Sequence, residues 1–185
     1  MVKQIYWFWE NKISKSLCDV LLSQIDDSKK IKGTVSNDNL NLVVNSSYRD
    51  VDLFFEDWTN PIGSILFSHG FYANKMAEWN FSIVGPEDTQ ITYYSADQYH
   101  DWHSDWYFFS EYTRKITTIL FLSDVDDYDG GELCLTPGKK QKETCLKPSK
   151  GSIISFPSYL EHKVNPVISG ERITAVNWII GPAFI

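Results

Sequence analysis

The chain has no apolar run long enough to cross a bilayer as a helix, and its first residues, MVKQIYWFWENKISKS, lack the long apolar segment of a secretory signal peptide. It has only three cysteines, Cys18, Cys134 and Cys145, which form no Cys-x-x-Cys pair and are odd in number. We therefore expect reduced, mostly buried thiols in an intracellular, cytoplasmic protein without a membrane partner.

Basic residues are also scarce, since 17 Lys and Arg stand against 24 Asp and Glu, for a formal net charge of −7. This balance argues against a broad polyanion-binding surface and against nucleic acid as the partner. Apolar residues make up 43% and aromatic residues 15% of the chain, with seven Trp. The composition is typical of a globular protein with a real core, and it favours a ring-lined cavity.

The first part of the chain predicts a strand followed by two helices. The strand is QIYWFWE, and the first helix covers about residues 15–28, with Ser16 as its N-cap. The second helix begins at Pro61, a tolerated first-turn position. Between the helices, residues 32–47 are rich in Asn, Ser and Gly and predict a loop that is poorly ordered or forms a lid over the site.

From Asn80 onward, short β-branched and aromatic runs alternate with Gly, Pro, Asp and Asn. Several short strands at regular spacing predict an antiparallel sandwich or barrel. We therefore expect one domain over residues 1–185, mainly β with some helix (α+β), in which a helical buttress of about residues 1–79 supports a β core of about residues 80–185.

The stretch QYHDWHSDWYFF, residues 98–109, places costly polar groups among aromatic rings. In a strand, residues i and i+2 point to the same face, so His103 and Asp105 would project together, with Asp101, away from Trp102, Ser104 and Trp106. A His and a carboxylate on one face can bind a divalent metal, and His162 is the candidate third ligand. An H-x-x-H arrangement through His100 is the alternative metal site.

Arg172 lies ten residues after His162, on what we expect to be the next strand. A guanidinium aimed into a β-sandwich needs an anion, because a buried cation without a partner is very expensive. Thr174 would point the same way and bind the same anion. The pattern predicts a metal site with a dicarboxylate pocket behind it.

Taken together, HSD…H…R, RKITTILFLSDVDDYDGGELCL, GSIISFPSYLEHKVNPV and GERITAVNWIIGP resemble the iron- and 2-oxoglutarate-dependent oxygenases, in particular their prolyl-4-hydroxylase-like branch. The resemblance implies a double-stranded β-helix, the cupin-like jelly roll. It also implies His103, Asp105 and His162 as iron ligands, and Arg172, with Tyr94 and Thr174, as partners of 2-oxoglutarate.

The resemblance is less specific on the substrate side. Trp178 falls where prolyl-hydroxylase-like members carry a Trp near the iron, whereas the Tyr that many relatives have three residues before the first ligand is replaced by His100, with Tyr99 beside it. These three residues and Trp106 are the candidate substrate-pocket residues. The rings of residues 106–109 either line the substrate mouth or close the core.

The resemblance implies Fe(II), 2-oxoglutarate and O2 as cofactors and cosubstrates, with stimulation by ascorbate. The function it implies is hydroxylation of an unactivated C–H bond, in first place on a proline of a peptide or protein. Two alternatives stay open: an oxygenase acting on a small molecule or free amino acid, and a catalytically silent metal-binding jelly roll, including a zinc-loaded one. The sequence indicates no oligomeric state.

Overall fold

The computed structural model of the protein describes residues 4–36, 42–109, 111–138 and 142–183, which form two main antiparallel β-sheets, two short two-stranded ladders and two α-helices. The helices are α1 (Lys15–Ser23) and α2 (Pro61–Met76), with a 3-10 turn at Asp27–Lys29. The strands are β1 (Trp7–Trp9), β2 (Ile31–Lys32), β3 (Val35–Ser36), β4 (Leu42–Val43), β5 (Arg49–Asp50), β6 (Asp52–Glu56), β7 (Gly85–Pro86), β8 (Thr89–Tyr94), β9 (Tyr99–His103), β10 (Phe108–Phe109), β11 (Tyr112–Phe121), β12 (Tyr128–Gly130), β13 (Leu133–Thr136), β14 (Thr144–Leu146), β15 (Ile153–Pro157), β16 (Glu161–Val164), β17 (Val167–Gly170) and β18 (Arg172–Pro182).

The strands form a large and a small sheet of a jelly roll. The large sheet has the order β1-β15-β11-β18-β8-β6-β2, with β10 beside β11 and β7 beside β18, and the small sheet has the order β14-β13-β16-β9-β5. Two short ladders, β12–β17 and β3–β4, complete the pairing among the described residues. The expected jelly roll is confirmed, and the described strands form no closed barrel.

The division into a helical buttress and a β core is wrong in one respect. Three strands that precede residue 80, namely β1, β2 and β6, belong to the large sheet, and β5 belongs to the small one. Antiparallel strands can pair over any sequence separation, so the place of a strand along the chain does not give its place in a sheet.

Apolar side chains form a core on each face of the large sheet. One core fills the space between the sheets and includes Phe121, Leu133 and Phe156. The other joins the outer face of the large sheet to the helices, through residues such as Leu21 and Leu66. The helices therefore cover the side of the large sheet that faces away from the small one.

The second helix begins where the sequence predicts. The Asn60 side chain accepts a hydrogen bond from Gly63 N at 2.8 Å, and Pro61 occupies the first turn, where its missing N–H has no cost. Gly70 lets the helix approach the sheet, because a Cβ there would lie 2.5 Å from Ile179 Cδ1 and from Thr118 Oγ1.

The first helix differs from its prediction at both ends. Its N-cap is Ser14, whose hydroxyl accepts a hydrogen bond from Leu17 N at 3.2 Å, and not Ser16. The helix ends at Ser23 and not near residue 28. The Asp26 carboxylate accepts hydrogen bonds from Ser28 N and Oγ, a local arrangement that competes with helical hydrogen bonding.

The prediction of three reduced cysteines is wrong, because Cys134 and Cys145 form a disulfide. The two residues are paired across the β13–β14 ladder, so that cysteines eleven positions apart lie opposite each other. The third cysteine, Cys18, is free and lies on the buried face of α1. The cysteines thus give no support to the expected compartment. Among the described residues, every helix is too short or too polar to cross a membrane.

The disulfide should stabilise the hairpin of β13 and β14. Because the bond closes a loop of about this length in the unfolded chain, Cys145→Ser should lower the free energy of unfolding by about 2–3 kcal/mol. Urea unfolding with and without dithiothreitol measures the effect, and the variant in reductant serves as the control. Equal stability of the oxidised wild type and the variant would show that the bond contributes nothing.

Candidate functional site

Two histidines and an aspartate meet on the inner side of the small sheet. His103 ends β9 and His162 lies on β16, and the two residues are paired directly across the ladder. Asp105 joins them from the segment after β9, and the candidate ligand atoms of the three residues all lie within 4.8 Å of one another. The sequence predicted this set, but its strand argument fails for Asp105, which lies two residues beyond the end of the strand.

The two imidazoles are oriented by backbone carbonyl groups. His103 Nδ1 lies 2.7 Å from Asp101 O, and His162 Nδ1 lies 3.0 Å from Leu160 O. Each ring therefore carries its proton on Nδ1 and turns Nε2 towards Asp105, at 3.7 Å from Oδ1 and 3.4 Å from Oδ2 respectively. Two Nε2 atoms and one carboxylate, on residues that each have an outer hydrogen-bond partner, are a donor set that fits a divalent metal.

The Asp105 carboxylate is held by a residue that the sequence analysis missed. Thr117 Oγ1 donates a hydrogen bond to Asp105 Oδ2 at 2.8 Å and lies 3.1 Å from Ser158 Oγ. Thr117 is buried in β11, in the run KITTILFL. The available signal was the pair of threonines, Thr117 and Thr118, in a run that is otherwise apolar from Ile116 to Leu122, since buried hydroxyls need partners.

Burial and mutual contact shift the pKa values of the site. Burial and, to a smaller extent, the adjacent His162 together lower the pKa of His103 to about 3, against the opposing effect of Asp105. Burial alone would raise the pKa of Asp105, but His162, His103 and Arg114 outweigh it and hold this pKa at about 2. At neutral pH the imidazole of His103 is neutral and the carboxylate is ionised, which is the form that binds a metal.

Arg172 faces this group from the large sheet. It lies on β18, paired with Tyr94 of β8, and Thr174 is paired with Thr92 two positions on. Only 2% of Arg172 is exposed, and its Nε has no hydrogen-bond partner among the described residues. The expected position on the strand after His162 is wrong, because β17 intervenes.

The Arg172 side chain is packed among rings beside a glycine. Its guanidinium carbon lies 5.1 Å from the ring centroid of Tyr94 and 5.4 Å from that of Phe121. Gly131 has φ +65°, and a Cβ there would lie 3.0 Å from Arg172 Cδ. The glycine thus allows both a left-handed backbone and close packing against the arginine stem.

A cavity of about 1030 Å³ between the sheets contains both halves of the site. It includes nine of the ten residues proposed from sequence: His103, Asp105, His162, Arg172, Tyr94, Thr174, His100, Trp106 and Trp178. Tyr99 is the exception and corrects the prediction, since it does not line the cavity and its hydroxyl donates to Ser47 O at 2.8 Å. Successive strand residues point to opposite faces, which explains why His100 lines the cavity and its neighbour does not.

The substrate-side candidates lie around the metal group in different ways. His100 stacks on His103 with 3.5 Å between ring centroids, but it does not belong to the ligand cluster of His103, Asp105 and His162. This geometry does not favour the H-x-x-H alternative. The guanidinium carbon of Arg114 lies 3.9 Å from the ring centroid of Trp178. Trp106 is half exposed and lies with Tyr107 on the cavity wall.

Part of the stretch expected to form a loop or lid also borders the cavity. Thr34, Val35 and Leu42 contribute to the lining, and β3 and β4 form a short ladder in this stretch. Residues 37–41 lie outside the described residues. The expected position over the site is therefore compatible with the described part, and its motion stays a prediction.

Further polar residues of the cavity were not found from sequence. Arg114 forms a bidentate pair with Glu87, with both N–O distances at 2.7 Å. Arg49 lines the cavity next to Gln90, whose Oε1 accepts a hydrogen bond from it at 3.2 Å. Arg114 opens the run RKITTILFL, but the sequence analysis assigned no role to either arginine, and only the pairing of strands brings them to the cavity.

Comparison with known proteins finds relatives for the part of the chain that contains the candidate metal ligands and Arg172. A family model described as the 2OG-Fe(II) oxygenase superfamily matches residues 89–180. A PKHD-type hydroxylase of Synechococcus sp. (strain CC9605) is 41% identical over 86 residues, which are 46% of this chain and 38% of that protein. A PKHD-type hydroxylase of Prochlorococcus marinus is 28% identical over 170 residues, which are 91% of this chain and 65% of that protein. The matches thus span between about a third and two thirds of the length of these relatives.

Solved structures share the fold. A Pseudomonas putida prolyl-4-hydroxylase has a TM-score of 0.73 at 15% identity, covering 95% of this chain and 92% of that chain. The viral collagen prolyl hydroxylase of Paramecium Bursaria Chlorella virus-1, solved with 2OG, has a TM-score of 0.72 at 21% identity, covering 98% and 99%. At these identities the likeness establishes the fold alone.

The buried imidazoles should make the stability of the metal-free protein depend on pH. The pKa of His103 lies at about 3, and burial lowers that of His100 too, so that unfolding takes up protons below the ordinary histidine pKa of about 6.5. Stability should fall as the pH falls from about 6.5, by at most about 1.4 kcal/mol per pH unit for each imidazole.

His100→Phe keeps a ring against His103 and removes one of the two titrating groups. Denaturant unfolding of both proteins between pH 7 and pH 4.5, with chelator present, should therefore give a shallower pH slope for the variant. Identical slopes would mean that His100 is not held neutral in the folded protein.

Proposed function

Since the chain belongs to the 2OG-Fe(II) oxygenase superfamily, we propose that it is an Fe(II)- and 2-oxoglutarate-dependent dioxygenase that hydroxylates an unactivated C–H bond. The observation that carries the proposal is the pairing, within one cavity, of a two-histidine, one-aspartate cluster with a buried arginine on the opposite sheet. The matched region covers only part of the relatives, so their names support the activity without defining it.

The metal would be held by His103, Asp105 and His162. Their Nε2 atoms and carboxylate converge, and their outer hydrogen bonds to Asp101 O, Leu160 O and Thr117 fix the ring orientations and the carboxylate. Three protein ligands on one side leave the other coordination positions for cosubstrate and oxygen. The donor set thus fits Fe(II) in an oxygenase.

The far carboxylate of 2-oxoglutarate would bind Arg172. Its buried Nε lacks an acceptor among the described residues, and a dicarboxylate supplies one in a planar geometry that matches the guanidinium. Tyr94 is its cross-strand partner and Thr174 lies two residues along the same strand, so both are placed to hydrogen-bond the same carboxylate. The cosubstrate would lie between Arg172 and the metal ligands.

Bound Fe(II), 2-oxoglutarate and O2 supply the oxidising chemistry, in which one oxygen atom enters the C–H bond and the other enters succinate as carbon dioxide is released. The protein's own residues orient and shield the reactants. Trp178 and Ile119 close the cavity wall with apolar surface, and Thr117 keeps the Asp105 carboxylate in place. A cavity of about 1030 Å³ has room for a cosubstrate and a second small molecule or side chain together.

We propose a proline residue of a peptide as the first substrate class to test. The support is the names of the relatives, which include prolyl hydroxylases, one of them solved with a hypoxia inducible factor peptide fragment. Aromatic residues on the cavity wall, such as Trp58, Trp106 and Tyr107, suit the flat apolar face of a proline ring. A small molecule or free amino acid is the second candidate, and ascorbate stimulation belongs to the same proposal.

Succinate release tests the function directly. Anaerobically loaded protein is mixed with O2, 2-oxoglutarate and a panel of proline peptides and free amino acids, with and without ascorbate. We expect iron-dependent succinate formation that rises with the true substrate. A protein that binds iron and releases no succinate with or without any panel member would instead be a silent metal-binding jelly roll.

Loss of any one proposed metal ligand should abolish stoichiometric Fe(II) binding, because two remaining ligands hold the metal weakly and leave the buried cluster incomplete. The variants are His103→Ala, Asp105→Ala and His162→Ala, and binding is followed by equilibrium dialysis under anaerobic conditions. His69→Ala, in α2 and outside the cavity, is the matched control. Full iron binding and activity in His103→Ala with His100 intact would contradict the assignment.

Arg172→Lys should keep Fe(II) affinity and weaken 2-oxoglutarate binding at least about tenfold, because the fork of two hydrogen bonds to a carboxylate is lost. Arg172→Ala should weaken it further, since a carboxylate would then be buried without a cation. Anaerobic titration of the iron-loaded variants, following the metal-to-ligand absorbance band, measures this affinity. Wild-type affinity in the alanine variant would remove Arg172 from the cosubstrate site.

A further inference from the structure

Arg49 is a second cation of the cavity that the proposed metal and cosubstrate sites do not use. It lies on β5, paired with His100 across the small sheet, and its side chain lines the cavity. Its two terminal nitrogens donate to Thr34 O at 2.9 Å and Gln90 Oε1 at 3.2 Å. Its Nε is buried without a hydrogen-bond partner among the described residues.

Among the described residues, the charge of Arg49 is not neutralised by a directly paired carboxylate. No acidic side chain in the described part of the chain forms an ion pair with it, since Asp50 and Asp52 both contact Lys32, and Glu87 is bound by Arg114. Both of its acceptors are neutral oxygens. A guanidinium with neutral acceptors and a buried Nε–H that lacks an acceptor is costly unless an anion completes its surroundings.

The electrostatic surroundings agree with this description. Burial lowers the pKa of Arg49, and Tyr94 and Asp105 only partly oppose the effect. Arg49 in turn contributes to the low pKa of His100 and of His103, although burial is the main cause in both. The charge of Arg49 therefore acts on the proposed metal ligand His103 and on its neighbour His100.

The register of the large sheet separates Arg49 from the proposed cosubstrate anchor. Gln90, which binds Arg49, is paired with Val176, four residues along β18 from Arg172, or about 13 Å at the rise of a strand. On the opposite side of β18, Thr117, the partner of Asp105, is paired with Trp178. The hydrogen-bond partner of Arg49 is thus displaced along β18 from the position of Arg172, and Tyr94 interacts electrostatically with both arginines.

We infer that Arg49 binds a carboxylate of the primary substrate and so selects an acidic substrate that places this carboxylate beside the oxidised carbon. The inference rests on the proposed function, in which Arg172 takes the far carboxylate of 2-oxoglutarate and the metal takes the other. A third anion site beside the metal is then left for the molecule being oxidised. The carboxylate belongs either to a free amino acid or to the C-terminal residue of a peptide.

The test uses a matched pair of probes, propionate and propionamide, which differ only in the charged group. They are titrated into the full chain loaded with Zn(II), which does not turn over, with and without saturating 2-oxoglutarate. Binding is read from the Nε–H resonance of Arg49 in protein labelled with 15N-arginine and from tryptophan fluorescence. We expect saturable binding of propionate, a shift of the Arg49 resonance and no binding of propionamide.

Three variants assign the effect. Arg49→Met should weaken propionate binding roughly tenfold or more, because a charge-assisted hydrogen bond is lost, and Arg49→Lys should restore part of it. Lys32→Met removes one exposed positive charge from the neighbouring surface and should leave the affinity within about twofold of wild type. Thermal unfolding checks that each variant is folded. If Arg49→Met does not fold, the shift of the Arg49 resonance in the wild type still shows whether propionate binds at this residue.

Several results would overturn the inference. They are absence of saturable propionate binding in the wild type, equal binding of propionamide, and unchanged affinity in folded Arg49→Met. Competition between propionate and 2-oxoglutarate, together with loss of 2-oxoglutarate binding in Arg49→Met, would assign Arg49 to the cosubstrate instead. Failure of the wild-type zinc protein to bind 2-oxoglutarate would contradict the proposed function. The propionate titration without 2-oxoglutarate would still test whether Arg49 binds a carboxylate.

Two further probes distinguish the source of the carboxylate. L-proline and the dipeptide Ala-Pro are compared in the same zinc complex, each against its amide. Tighter binding of the acid than of its amide supports the inference, and the tighter of the two acids identifies a free amino acid or a peptide C-terminus. An amide that binds as tightly as its acid contradicts it.

Discussion

The antiparallel register between β9 and β16 is the constraint on which the site depends. It pairs His103 with His162, and the backbone carbonyls on either side hold both rings with Nε2 inward. Val164, two residues beyond His162, faces the same interior and packs in the core between the sheets. A slip of one residue would expose Val164 and turn His162 outward together, so the burial of an apolar side chain also keeps the metal group assembled.

The large sheet supplies the opposite wall, and its chemistry complements that of the small sheet. Donor atoms for a metal come from the small sheet and the segment after it, whereas the buried cation Arg172 comes from the large sheet. Because the two sheets enclose the cavity, ionic interactions inside it are stronger than at the surface. Three arginines line the cavity. Arg114 forms an ion pair with Glu87, whereas Arg49 and Arg172 form no ion pair with any described residue. That asymmetry supports the proposal that the cavity binds more than one anion.

Much of the fold and of the site was accessible from sequence because local rules decide them. Asn60 and Pro61 predict the start of α2, and alternating short strands predict the β-sandwich. Where two local signals compete, the prediction fails: both Ser14 and Ser16 are acceptable N-caps, and only packing of α1 against the sheet selects the first. The pairing of Cys134 with Cys145 depends in the same way on a hairpin register that spacing alone does not reveal.

The sequence by itself determined the residue types of the site and their order, since the motif from His103 to Arg172 contains the chemistry of metal and anion binding within one stretch of chain. The tertiary structure decided which of the neighbouring polar residues take part. Tyr99 and His100 are adjacent, yet only His100 lines the cavity; Thr117 reaches it from β11, and Arg49 reaches it from β5, which precedes the motif by about fifty residues. The physical reason is that burial, charge compensation and hydrogen-bond satisfaction are properties of the assembled sheets, which pair residues without regard to their separation along the sequence.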